Sequence, residues 1–286
     1  MPDGRQPATG GYLSRMLRSL FIPDGDTFQP TGLTRSFWSD DAQHGGPPVG
    51  LLARAIERVP TSVPMQVVRL SVDLYRPVPV DAAIRAETRL VRDGRRIQVV
   101  DATLLAAGRP VARASALKIR TTGIPLPRSP VAWDPPPGPD EAAEISWERP
   151  GAAESELDFF HIHGIEVRTV DDSLFTLGEG LSWVRLTVPV VEGEPNSPLV
   201  ATATLSDVGN GNSMALDGRR WLYVNPDLSL TLHRLPADGW LGMRSIAYQH
   251  PSGIGSAESQ LFDTTGPVGR VVQSQILEPR VDSRTT

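Results

Sequence analysis

The stretch "LSDVGNGNS", residues 205–213, places one acid, two glycines and two asparagines directly after the apolar run "PLVATAT". Asp207 can be read in two ways. It suits the N-cap of a helix, where a carboxylate accepts a backbone N–H. It also suits proton transfer, because a helix start offers free N–H groups and a dipole that favours negative charge on a bound group. Gly209 and Gly211 would let the backbone come close to a ligand. Earlier in the chain, His44-Gly45-Gly46 opens another helical pattern and occupies a comparable place. His44 there fits a helix-entry hydrogen bonder as well as a substrate contact.

The surrounding chain narrows the choices. It has 286 residues, 40% hydrophobic and 21% charged, with a formal net charge of −5. Such values fit a soluble globular protein of one large domain or two ordinary ones. No basic patch stands out, so nucleic acid is not an expected partner. The absence of cysteine excludes disulfides, thiolate metal sites and a cysteine nucleophile. The sequence has no phosphate loop, no GxSxG elbow and no histidine cluster with metal spacing. No apolar run is long enough to span a bilayer, and the N-terminus lacks a signal-peptide core. A cytoplasmic protein is expected.

The elements that must position Asp207 come in two copies. Residues 121–152 are rich in proline, which suits a stiff, extended linker that stays out of a sheet. The flanking halves, 1–120 and 153–286, resemble each other. "LSVDLYRPVPVDAAIRAETRLV" from Leu70 matches "LSLTLHRLPADGWLGMRSIAYQ" from Leu228, an offset of 158 (228 − 70). Arg76 with Arg234 and Gly108 with Gly266 keep it. After a one-residue slip, "GRPVARASALKIR" matches "GPVGRVVQSQILEPR", which pairs Ala116 with Gln273. The halves therefore differ at Gln273, as a site confined to one half requires.

Each half reads as a helix followed by a meander of strands. "HGGPPVGLLARAIERV" carries Val49, Leu52, Ile56 and Val59 on one helical face, with Pro47 and Pro48 in the first turn. "AAIRAETRLV" alternates, with Ile84, Ala86, Thr88 and Leu90 on one face. "RDGR" at 92–95 is a hairpin signal. Ala112, Ala114 and Ala116 make a small-residue face on which a helix can lie close. The predicted class is α+β.

A helix wrapped by an antiparallel sheet, duplicated in one chain, resembles the tandem (double) hotdog of the acyl-CoA thioesterases, and most closely the bacterial thioesterase II group with its actinobacterial-type relatives. The matching stretches include "WSDDAQHGGPPVGLLARA", "VDLYRPVP", "SWVRLTVPVVEGEPNSPLVATATLSDVGNG", "YVNPDLSLTLHRLPADGWLGM" and "SAESQLFDTTGPVGRVVQSQIL". The resemblance implies an N-terminal hotdog domain (1–120), a linker and a C-terminal hotdog domain (153–286). It implies hydrolysis of acyl-CoA to free acid and CoA without metal or redox cofactor.

The family's site uses an Asp at the start of the second-half helix, a Thr or Ser on the next strand and a Gln on the last strand. By position these fall on Asp207, Asn225 and Gln273. Asn225 departs from the pattern: it can hold a water but has no hydroxyl. Gly209, Gly211, His44, Gly45 and Gly46 are the expected substrate contacts. Two rivals arise from the same residues. One is an acyl-CoA-binding protein without catalysis. The other is an enoyl-CoA hydratase, for which "VNPDLSLTLH" would supply His233. Convergence of Asp207, Asn225 and Gln273 on one water-sized gap separates catalysis from mere binding. The outer sheet faces stay free for a homodimer.

Overall fold

The computed structural model describes residues 19–127, 131–145, 158–170, 177–218, 220–237 and 239–280. The first half contains β1 (Phe21–Asp24), β2 (Thr27–Pro30), α1 (Gly46–Glu57), β3 (Met65–Asp73), β4 (Ile84–Asp93), β5 (Ile97–Ala106) and β6 (Arg109–Arg120). The second half contains β7 (Ala143–Glu144), β8 (Ile165–Thr169), β9 (Gly180–Leu186), α2 (Pro198–Leu205), α3 (Gly209–Asn212), β10 (Trp221–Val224), β11 (Asp227–Leu232), β12 (Leu241–His250), β13 (Ile254–Asp263) and β14 (Gly266–Pro279).

The strands join one antiparallel sheet in the order β1-β2-β4-β5-β6-β3-β11-β14-β13-β12-β9-β8-β7, with β10 paired to β14 off this path. The two halves repeat the same order outward from the seam, where β3 meets β11. There Leu230 pairs with Leu70, Leu228 with Val72, and Ser229 with Ser71. Ser71 and Ser229 are equivalent under the offset of 158, so each meets its own counterpart. That is the pairing expected across a two-fold axis.

Alternation builds each sheet face. Along β5, Gln98, Val100, Ala102, Leu104 and Ala106 are buried in turn. Ala112, Ala114 and Ala116 on β6 are all buried within the main core. α1 buries Val49, Leu52 and Ile56, as its spacing requires. β4 differs from expectation. Ile84 is buried and Ala86 partly so, but Thr88 and Leu90 are exposed, Leu90 by 47%. Their partners on β5, Ala102 and Val100, stay buried, so the cover ends at β4 alone.

α1 and α2 pack against each other inside the curved sheet. A Cβ on Gly50 of α1 would stand 2.0 Å from Thr204 Oγ1 of α2, so glycine sets that approach. The proline-rich segment does not stay wholly apart from the sheet. Ala143 and Glu144 form β7 and pair with β8 at the sheet edge. The Pro137 carbonyl accepts the Trp183 indole N–H (2.9 Å), and Trp133 lies against Phe262. The rest of the segment is thus held by side chains of the second half.

Candidate active site

Asp207 does not stand before a helix. α2 starts at Pro198, and its N-cap is Ser197, whose hydroxyl accepts the Val200 N–H. Asp207 comes after that helix, in a 3-10 turn from Ser206 to Val208. The predicted helix start after Asp207 is only the single turn α3, and its N-cap Val208 makes no side-chain cap bond. The expected N–H donors after Asp207 are therefore not there.

They come from the other half. The Gly45 and Gly46 N–H groups, at the N-terminus of α1, lie near the Asp207 carboxylate and favour its charged form, although the Gly46 N–H itself donates to His44 Nδ1. Gly45 itself offers no side-chain cap, and Pro47 and Pro48 have no N–H. Asp207 thus faces the start of a helix, but across the seam. The fit is close: a Cβ on Gly45 would lie 2.6 Å from Asp207 Oδ2, and one on Gly46 would lie 2.5 Å from the Thr204 carbonyl oxygen.

Three side chains complete the shell of Asp207. Asn225 Nδ2 donates to Oδ1 at 2.5 Å, and Gln273 Nε2 donates to the same oxygen at 3.1 Å. His44 Nδ1 lies 3.1 Å from Oδ2 and also receives the Gly46 N–H at 3.0 Å. Asp207 is 2% exposed and Gln273 1%. Burial raises the Asp207 carboxyl from 3.8 to about 6, against the hydrogen bonds from Asn225 and Gln273 and the nearby Gly46 and Gly45 N–H groups, which favour its charge. Burial lowers His44 to about 3, so its ring is neutral near pH 7.

The sequence did not single out several neighbours. Asn210 Nδ2 donates to Asn225 Oδ1 (3.1 Å) and to the Tyr223 carbonyl (3.0 Å), and Gln275 Nε2 donates to Asn210 Oδ1. His161, in the π-helical turn Phe160–Gly164, stands edge-on to His44 at 4.3 Å between ring centres. Phe160 stacks on the His44 ring. "QSQ" at 273–275 held a signal for Gln275. Two amides at strand period between Val271 and Leu277 must share the inward face.

Other expected contacts fare differently. Gly209 is close-packed, but against the protein: its Cβ would meet Ser259 Oγ at 2.4 Å. Nothing lies within 4 Å of a Cβ on Gly211. His233 is exposed on β11's outward side, beyond Leu232, and does not join the Asp207 cluster. Among the described residues, no group of three His, Cys, Asp or Glu is placed to hold a metal ion.

The two-fold leaves a mirror of this arrangement. Glu57 ends α1, and its Oε2 accepts from Ser197 Oγ (2.6 Å) at the start of α2. Each helix unit thus sends an acid to the start of the other. But the counterparts of Asn225 and Gln273 are Val67 and Ala116, both buried and apolar. Only the Asp207 end carries the amides that a polar reaction needs.

The fold agrees with the comparisons. The acyl-CoA thioesterase N-terminal domain model matches residues 34–119, and the C-terminal domain model matches residues 134–277. The chain belongs to the acyl-CoA thioesterase family, whose members are thioester hydrolases, and its fold is the double hotdog. Among solved structures, a thioesterase II candidate from Thermobifida fusca YX is 18% identical, with TM-score 0.68 over 96% of this chain and 100% of that one. A hot dog fold protein of unknown function from Alicyclobacillus acidocaldarius is 17% identical, with TM-score 0.67 over 92% and 96%. The acyl-CoA thioesterase II TesB2 from Mycobacterium marinum is 18% identical, with TM-score 0.63 over 94% and 97%. At these identities the structures speak for the fold alone. No curated protein matches the chain. Among the described residues, no helix is long and apolar enough to cross a membrane.

Proposed function

We propose that the chain hydrolyses an acyl-CoA to the free acid and CoA, with Asp207 as the base. The observation that carries the reading is the convergence of Asn225 and Gln273 on Asp207 Oδ1 in a buried site. A carboxyl pushed up to about 6 is ionised at neutral pH yet basic enough to take a proton. Gln273 spends its N–H on Asp207, and its buried Oε1 has no hydrogen-bond partner. That oxygen is left to accept from a water.

The water oxygen attacks the thioester carbonyl carbon while Asp207 takes its proton. The negative charge that develops on the carbonyl oxygen lies toward the α1 N-terminus, where the helix dipole favours it. Collapse breaks the C–S bond, and the CoA thiolate takes the proton back from Asp207. Asn225 serves by holding the carboxylate, since it cannot supply the hydroxyl found in the family. The same reading puts the protein in the cytoplasm, with acyl-CoA as its partner.

The test is release of free thiol from acyl-CoAs of increasing chain length. The chain has no cysteine, so it adds no background. Asp207→Asn should lose on the order of a hundredfold or more. No release from any acyl-CoA by the wild type would sink the reading.

A further inference from the structure

Asn225, Tyr223 and Trp221 alternate along one extended segment, so they share a face. A contact path runs outward from Asp207 along it. Asn225 binds Asp207, and Asn210 ties Asn225 to the Tyr223 backbone. The Tyr223 ring meets Trp38 edge-on at 5.1 Å. The Arg280 guanidinium then lies over the Trp38 ring at 5.5 Å. The span from Asn225 to Trp221 is roughly 13 Å at strand rise, and Arg220 and Arg280 stand just beyond it. Their main chains are joined by the Arg280 N–H donating to the Arg220 carbonyl (2.8 Å).

Arg280 is exposed, but it is not a loose surface arginine. Its Nε donates to the Gly218 carbonyl at 2.8 Å, and the Trp38 ring holds its plane. No acid is paired with it or with Arg220 among the described residues. Asp217 does act on Tyr223 electrostatically, as Arg280 does with opposite sign, so the rim is mixed in charge. A guanidinium held at two points, with its Nη groups unspent, is a preorganised donor for phosphate oxygens.

We propose that this rim receives the nucleotide end of CoA, with Arg280 on its phosphates and Trp38 fixing the Arg280 fork. An extended pantetheine arm covers the distance from there to Asp207. The inference rests on the acyl-CoA reading of the site and adds where the carrier is held.

The experiment compares two substrates that share an acyl group: the CoA thioester, and the N-acetylcysteamine thioester, which lacks the nucleotide. For Arg280→Ala, KM for the CoA thioester should rise about tenfold or more, with kcat little changed. The wild-type KM for the CoA thioester should rise with salt. The short thioester should be hydrolysed equally by both proteins. Equal losses on both substrates, or no loss on either, would overturn the proposal. Calorimetric binding of CoA itself to the two proteins keeps the site testable apart from turnover. If the wild type cleaves neither thioester but binds CoA more tightly than the variant, the hydrolase reading fails and the rim stands. If CoA binds both proteins alike, the rim fails.

Discussion

Asp207 Oδ2 and His44 Nδ1 face each other at 3.1 Å across the seam between the two halves, 163 residues apart in sequence (207 − 44). Neither half holds the site alone. The acid leaves the end of one helix unit, and the glycines and histidine open the other. The burial that makes Asp207 a useful base also makes its charge costly to the fold, and both effects can be measured.

Asp207→Asn should lower turnover on the order of a hundredfold or more without unfolding the protein. The folded carboxyl titrates near 6, above its ordinary 3.8. Between those values the folded state keeps a proton that the unfolded chain has lost, so stability falls as pH rises from about 4 to about 6 and stays lower above. Asparagine removes that slope. Melting curves of the two proteins from pH 4 to 8 should diverge in favour of the variant as pH rises, by at most about 3 kcal/mol. Parallel curves would mean that Asp207 is not a buried, perturbed acid.

The rate should depend on the same group. In the wild type, kcat/KM should climb with pH to a plateau above about 6. Hydrogen bonds from Asn225 and Gln273 favour the ionised form, so removing either raises the midpoint. Asn225→Ala should shift it further than Gln273→Ala, because the Asn225 bond opposes the rise more strongly. Unmoved midpoints in both variants would place the titrating group elsewhere.

How much of the site is legible in the sequence depends on the range of the interactions. The meander is legible because strand alternation and the Asp93-Gly94 turn are local signals, and because the repeat states them twice. The Ser71–Ser229 seam is implied by the repeat, but its register needs both strands in place. The end of α2 is not legible. α2 is buried on nearly all sides, so "PLVATATL" shows no polar face to mark where a helix starts or stops. Asp207 thus reads as a cap for the residues after it, whereas in the fold it lies against Gly45 at the start of α1. Gln275 is within reach through its period with Gln273. His161 is not, since only tertiary packing brings it to His44.

The approach of the two helices should be sensitive to one methyl group. Gly50→Ala would place a Cβ on Thr204 Oγ1, which is already committed to the Val200 carbonyl at 2.8 Å. Overpacking of this kind costs about 1–3 kcal/mol. A denaturant titration should show the loss, and Gly211→Ala, where a Cβ meets nothing, is the matched control. Equal midpoints for the two variants would mean that the seam yields more easily than its packing suggests.

The last prediction concerns a pair that the repeat did not copy. Arg76 and Arg234 are equivalent, and both donate to a carbonyl at the start of a strand, of Pro110 and Pro267. Only Arg234 also forks onto an acid, with two 2.6 Å bonds to Asp263. The Thr265 N–H and hydroxyl and the Ala237 N–H also donate to that carboxylate. Although burial works the other way, these bonds hold Asp263 far below the usual carboxylate range. A lowered folded pKa stabilises above the unfolded value, near 3.8, and that stability fades as pH falls further. Asp263→Asn should therefore cost about 2–3 kcal/mol at pH 7, discounted for the partial exposure of Arg234. The cost should shrink as pH falls below about 4. Arg76→Ala, with no acid partner among the described residues to strand, should cost much less. Urea titrations of both variants at pH 7 and pH 3 separate the two cases, and equal costs at pH 7 would make the carbonyl bond, not the ion pair, the common support.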